Sequence, residues 1–197
     1  MEDLDEIKQQ FCEIFYDNIE RDGAEELLNF LERSDFFEAP ASTKTHSAYK
    51  GGLCQHSVNV YHRFVKLLQM EYGEDYTEVI SNESVAIIAL LHDLCKVNFY
   101  AMDTKNVKRD GQWVQEPYYR IEDSLPYGHG EKSVYMISGF MRLTREEAMA
   151  INWHMGGFDP RIREGSVRLT DVYYRYPIAF IFHIADNMAT YLDEKMN

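Results

Sequence analysis

The chain has 197 residues, 45% of them apolar, which is enough for one sizeable core, and its 33 acidic against 20 basic side chains leave a net charge of −13. Such acidity makes long duplex nucleic acid a poor partner. No stretch approaches the roughly 18 uninterrupted apolar residues of a membrane span, and the charged start Met1-Glu2-Asp3-Leu4-Asp5-Glu6 is unlike a signal peptide, so a cytoplasmic protein without a membrane partner is expected.

The acidity is concentrated at the amino terminus, where residues 1–40 hold 13 acidic and 3 basic side chains. Two helices with solvated outer faces are predicted there. Leu4, Ile7, Phe11, Ile14 and Phe15 form one apolar stripe, and Leu27, Leu28, Phe30 and Leu31 form another. Cys12, Cys54 and Cys95 lack paired spacing and stand beside apolar residues, so they read as reduced core thiols. His46 lies in a loop and is either a plain loop residue or a substrate contact.

Further along, His56 shares a helical column with Val60, Phe64 and Leu67 or Leu68, which turns it inward, while His62 falls on the opposite, solvated face. The run Val85-Ala86-Ile87-Ile88-Ala89-Leu90-Leu91 is apolar on nearly every side and predicts a central helix ending in His92 and Asp93. After Lys96 the helical pattern breaks. Asp110-Gly111 favours a type I′ turn, so a β-hairpin is predicted near residues 98–121. Its aromatics, Phe99, Tyr100, Trp113, Tyr118 and Tyr119, either stack on a base or pack the hairpin onto the helices.

Helical pattern resumes from Ser133 to Met141, and Thr144 with Glu147 makes a capping box for a helix ending around His154, stopped by Gly156-Gly157. Residues 158–172 read as a loop near the site. Pro177 suits the first turn of a final helix through Leu192. Asp186 lies in that helix's apolar column, where a carboxylate requires a cation or hydrogen-bond donors. His183, three residues earlier, is either a donor to Asp186 or a core histidine. Arg142, Arg145, Arg161, Arg163, Arg168 and Arg175 are available to line a cleft without forming a nucleic-acid motif. No repeat or linker interrupts the chain, and one domain is the economical reading.

His56, His92, Asp93, His129, His154 and Asp186 thus form an ordered series of imidazoles and carboxylates. That donor set suits divalent zinc, manganese, iron, cobalt or nickel. Its lack of cysteine favours an open, reactive site over a closed structural zinc.

The series resembles the HD-domain superfamily, an all-α fold named for its His-Asp doublet, and His129 and His154 match its two-metal subgroup. Gly51-Gly52-Leu53-Cys54-Gln55-His56 is similar to a GGLxxH motif, and His92-Asp93-Leu94-Cys95-Lys96 to HDxxK. Asp35-Phe36-Phe37-Glu38-Ala39-Pro40-Ala41-Ser42 and Tyr127-Gly128-His129-Gly130-Glu131 resemble small stand-alone HD proteins of bacteria and phages. The resemblance covers about residues 35–195, the expected HD core, and with the acidic helices over 1–34 packed on it the chain is expected to form a single HD-type domain over 1–197.

It also implies that His56, His92, Asp93 and Asp186 bind a first metal, that His129 and His154 bind a second, and that Asp93 bridges them. Two ions about 3.5–4 Å apart share and activate a water and clamp a phosphoryl group. Asp93 and Lys96 are then the catalytic candidates. Lys96 either neutralises a phosphate oxygen or is a solvated lysine favoured by a helix C-terminus.

The leading expectation is a metal-dependent phosphohydrolase that cleaves a phosphate mono- or diester of a nucleotide or short single-stranded oligonucleotide. A mixed-valent di-iron oxygenase of the same superfamily is the alternative. A metal-bound nucleotide-sensing module comes third, because all six ligand positions are filled.

Overall fold

The computed structural model describes residues 4–45 and 47–194, so the reading of His46 lies outside the described residues. The chain is mostly helical with one two-stranded antiparallel sheet. Helix α1 (Leu4–Asn18) buries Ile7, Phe11 and Phe15 at four-residue intervals, and α2 (Ala24–Arg33) buries Leu27, Leu28 and Leu31. Leu4, at the open end of its stripe, stays 40% exposed.

Helix α3 (Gly52–Tyr72) starts where two glycines are required. Gly51 has φ +83°, and a Cβ on Gly52 would stand 2.0 Å from the carbonyl oxygen of Ser47. That close approach ties the preceding loop to the first turn of α3. Helix α4 (Asn82–Leu91) is capped by the Ser81 hydroxyl accepting from the Ser84 N–H. Residues Val85 through Leu91 have no exposed surface, and α4 packs against α1, α3 and α6. A helix apolar all round can be stable only at the centre of such a bundle.

A 3₁₀ turn over Leu94–Lys96 leads to the hairpin, β1 (Tyr100–Arg109) and β2 (Gln112–Ile121), paired from Tyr100 opposite Ile121 to Arg109 opposite Gln112. Asp110 and Gly111, both with positive φ, close it in the expected turn. Most of the hairpin is exposed, and only its base approaches the helices.

Helix α5 (His129–Ser138) begins four residues before the expected Ser133 and ends before Met141. The Glu131 carboxylate accepts from the Gly128 N–H, which starts the helix at His129 despite the glycines on both sides. Helix α6 (Arg145–Trp153) has both bonds of the Thr144–Glu147 capping box.

The segment 158–172 is not the loop expected of it. Helix α7 (Pro160–Arg163) occupies its first half, with Pro160 in the first turn and Asp159 accepting from the Arg161 N–H. Helix α8 (Leu169–Arg175) begins inside its second half and packs on α9. Helix α9 (Pro177–Met188) lies against α3 and α6 and continues into a π turn, Ala189–Asp193. A continuous buried apolar cluster runs from Ile7 to Ala189. Among the described residues no helix is long and apolar enough to cross a membrane.

Candidate metal centre

The six candidate ligands converge from five helices. His56 lies in α3, His92 ends α4 with Asp93 beside it, His129 opens α5, His154 ends α6, and Asp186 belongs to α9. His56, His92, Asp93 and His154 are at most 2% exposed. The contact between α5 and α6 brings His129 to His154, because a Cβ on Gly130 would lie 2.3 Å from the Asn152 carbonyl oxygen.

The two oxygens of Asp93 face different groups. Oδ2 lies 3.6 Å from His56 Nε2 and 3.5 Å from His92 Nε2, while Oδ1 lies 2.8 Å from His129 Nε2 and 3.6 Å from His154 Nε2. On the Oδ2 side, Asp186 Oδ1 is 3.2 Å from His56 Nε2. Donor atoms of His56, His92 and Asp186 fall within 4.8 Å of one another, as do those of His92, Asp93 and His154.

The far nitrogens explain the orientation of the rings. His92 donates Nδ1–H to the Ala89 carbonyl at 2.9 Å, and His154 donates Nδ1–H to the Ile151 carbonyl at 2.7 Å. His56 Nδ1 meets the Glu194 carboxylate at 2.8 Å, and His129 Nδ1 lies 3.3 Å from Cys95 Sγ. Each ring therefore keeps Nε2 for the centre, the arrangement that outer partners impose on metal-ligating histidines.

His56 Nε2 and His92 Nε2 face each other at 3.3 Å. Two neutral imidazoles with Nδ1–H already committed would oppose lone pair to lone pair, so the pair requires a proton or a cation.

The electrostatics carry the same demand. Burial disfavours a charged His56, but Glu194 and Asp186 outweigh it and lift its pKa to about 10. At His129 burial is likewise outweighed, by Cys95 and Asp93, giving about 10. His92 goes the other way, to about 3, because burial and the neighbouring His154 and His56 oppose a second positive charge. Burial pushes Asp93 and Asp186 up, yet Lys96 and His92 around the first and His56 around the second hold both below the usual carboxylate range. Within these side chains alone, protons on His56 and His129 supply the positive charge that the two carboxylates demand.

Lys96 is not a solvated lysine. It is 9% exposed, and its ammonium donates to Asp93 Oδ2 at 2.6 Å, so it rests on the carboxylate between the two groups. An ammonium has three donors, and Lys96 also lines the adjoining cavity. His183 is not a donor to Asp186. Its Nδ1–H goes to the His154 carbonyl at 2.6 Å, fastening α9 to the end of α6.

The cavity beside the cluster has a volume of about 760 Å³. Of the hairpin aromatics, only Tyr100 lines it; Trp113 is 71% exposed, and the Phe99 ring receives the Lys132 ammonium at 4.8 Å. Of the six arginines proposed for a cleft, Arg163 alone reaches the cavity. Arg161 pairs with Asp159 and Glu131 and stacks on Trp153, and the other four lie exposed elsewhere.

Sequence reasoning did not find Glu194, Phe158 or Tyr191, all on the cavity wall, nor Cys95 as a neighbour of His129. Cys95 was within reach of inspection, two positions after Asp93. Glu194 was not, because its contact with His56 spans 138 positions. Comparison with protein-family models, curated proteins and solved structures finds no match to this chain.

Proposed function

We propose that this chain is an HD-type helical bundle acting as a divalent-metal-dependent phosphohydrolase on a nucleotide or short single-stranded oligonucleotide. The observation that supports it most is Asp93, whose two oxygens address two separate imidazole groups. The donor set fits two divalent transition-metal ions, manganese, iron, nickel, cobalt or zinc. His56, His92, Asp93 and Asp186 would hold the first, His129 and His154 the second, with Asp93 between them. Bound there, such ions supply an activated water and neutralise phosphoryl oxygens.

The chain's own residues do the rest. Asp93 is held by the Lys96 ammonium on Oδ2, so this carboxylate is oriented by the chain itself. Lys96 offers its remaining N–H donors to an anionic substrate in the cavity. The cavity's volume suits a mononucleotide-sized ligand, the usual range for such sites being roughly 300–1,000 Å³. Arg163, whose guanidinium lies over the Phe158 ring at 5.6 Å, adds a second cation at its wall. The partner is therefore a small phosphorylated molecule.

Elemental analysis of protein purified without chelators, followed by a nucleotide and phosphodiester screen under Mn²⁺, Ni²⁺, Co²⁺ and Mg²⁺, tests the reading. Cleavage should proceed without dioxygen and place one oxygen from isotopically labelled water in the product. Turnover that requires dioxygen would replace it with a di-iron oxygenase, and nucleotide binding without turnover would replace it with a sensing module.

A further inference from the structure

Two of the four candidate ligand imidazoles are braced within the turn they stand on, and a third by a thiol on another element. His92 and His154 use carbonyls three residues back, and His129 uses Cys95, which adjoins the Asp93 turn. His56 is different. Its Nδ1 meets Glu194, a residue from the far end of the chain with a 2% exposed side chain.

The path of the backbone to that contact is specific. Helix α9 widens into the π turn, whose last bond runs from the Glu194 N–H to the Ala189 carbonyl, and the chain then turns extended. Asp193, just before, pairs with Arg63, seven residues beyond His56 on α3, so the end of α9 is clamped along the same helix. Glu194 Oε1 accepts from His56 Nδ1 at 2.8 Å and from Asn59 Nδ2 at 3.3 Å, while Oε2 accepts from the Ser47 hydroxyl at 2.7 Å.

We propose that Glu194 is a positioning residue for His56 at the first metal subsite, and that the carboxyl-terminal π turn exists to deliver it. A carboxylate on Nδ1 fixes the ring so that Nε2 faces His92 and Asp186, and its charge makes Nε2 a stronger donor than the carbonyl-braced rings. Asn59 and Ser47 hold the carboxylate in turn. The inference rests on the two-metal reading and goes beyond it by making the two subsites unequal in their support.

The test is a Co²⁺ titration followed by visible absorption, on the full chain stripped of metal, for the parent protein, Glu194→Gln and Ser47→Ala. Outer-partner substitutions typically cost about 10- to 100-fold in metal affinity. Glu194→Gln, which keeps shape and an acceptor but removes the charge, should therefore lose about that much at one of two sites and leave the other unchanged.

Combined with His154→Ala, where the first ion alone remains, Glu194→Gln should shift the single binding transition by the same factor. Ser47→Ala removes one hydrogen bond to the Glu194 carboxylate but keeps its charge and the His56 contact, so its loss at that site should stay well below that of Glu194→Gln, while thermal unfolding of the metal-free forms monitors the fold. Unchanged affinities in Glu194→Gln, or an equal loss in Ser47→Ala, would overturn the assignment of Glu194. A parent protein that binds no Co²⁺ would instead overturn the metal reading beneath it.

Discussion

Asp93 is the residue on which the candidate centre turns. It touches four imidazoles and an ammonium, and it sits between two groups of donors. Its replacement should therefore affect both subsites, whereas a ligand on one side should affect one. The parent chain should bind two transition-metal ions, Asp93→Ala should weaken both sites and abolish activity, and His154→Ala should empty mainly the second. Elemental analysis after equilibrium dialysis reads all three, and a parent stoichiometry held at or below one under saturating metal would defeat the two-metal proposal.

Lys96 belongs to the same scale, with an ammonium already engaged by Asp93 yet bordering the cavity. Lys96→Ala should lower kcat/KM by roughly 10²–10³-fold, the scale of losing one preorganised charge contact. Metal content should be retained if the ammonium acts on substrate. Loss of metal in the variant would make Lys96 a support for Asp93 instead.

Between elements, one concentrated polar contact lies away from the cavity. Arg21, in the α1–α2 connection, donates to both oxygens of Glu147 in α6 at 2.7 and 2.9 Å and to Glu83 in α4. The Glu147 side chain is fully buried, and burial alone would raise its pKa. Arg21, the Ser84 hydroxyl and the Thr144 N–H outweigh burial and hold it below the usual value.

Because its folded pKa is depressed, Glu147 contributes fully to stability above its unfolded pKa of about 4.3. The contribution is lost as pH falls through the folded value. Glu147→Gln strands part of a buried ion pair and should cost about 3 kcal/mol at pH 7. Urea unfolding at several pH values checks the sign: the gap between parent and variant should shrink in acid, and a gap that widens in acid would contradict it.

At the scale of the whole molecule, α4 is the axis around which α1, α3 and α6 assemble, and it also carries His92 to the centre. Fold and site therefore share one support. Ile88, fully buried one turn before His92, is the position to probe. Ile88→Ala should lower unfolding stability by about 3–4 kcal/mol through lost burial and the cavity left behind. Chemical denaturation measures this, and a cost below about 1 kcal/mol would mean that the core collapses around the gap.

The periodicity of α4, the His56 column, the Asp110-Gly111 turn and the Thr144–Glu147 cap were legible because each depends on residues within a few positions of one another. The early start of α5 and the short helices α7 and α8 were not, since glycines and weak periodicity mask them until neighbouring elements pack. The same division holds in the candidate site. The ordered imidazoles and carboxylates can be named from the sequence, because residue type and helical face are local properties.

That the two oxygens of Asp93 would face different imidazole groups was carried in only by the family resemblance. The contacts of His183 with the His154 carbonyl and of Glu194 with His56 across 138 positions also depend on how the helices cross. Crossing geometry is set by side-chain packing throughout the bundle, and no local pattern encodes it, so these contacts were decided by the tertiary structure alone.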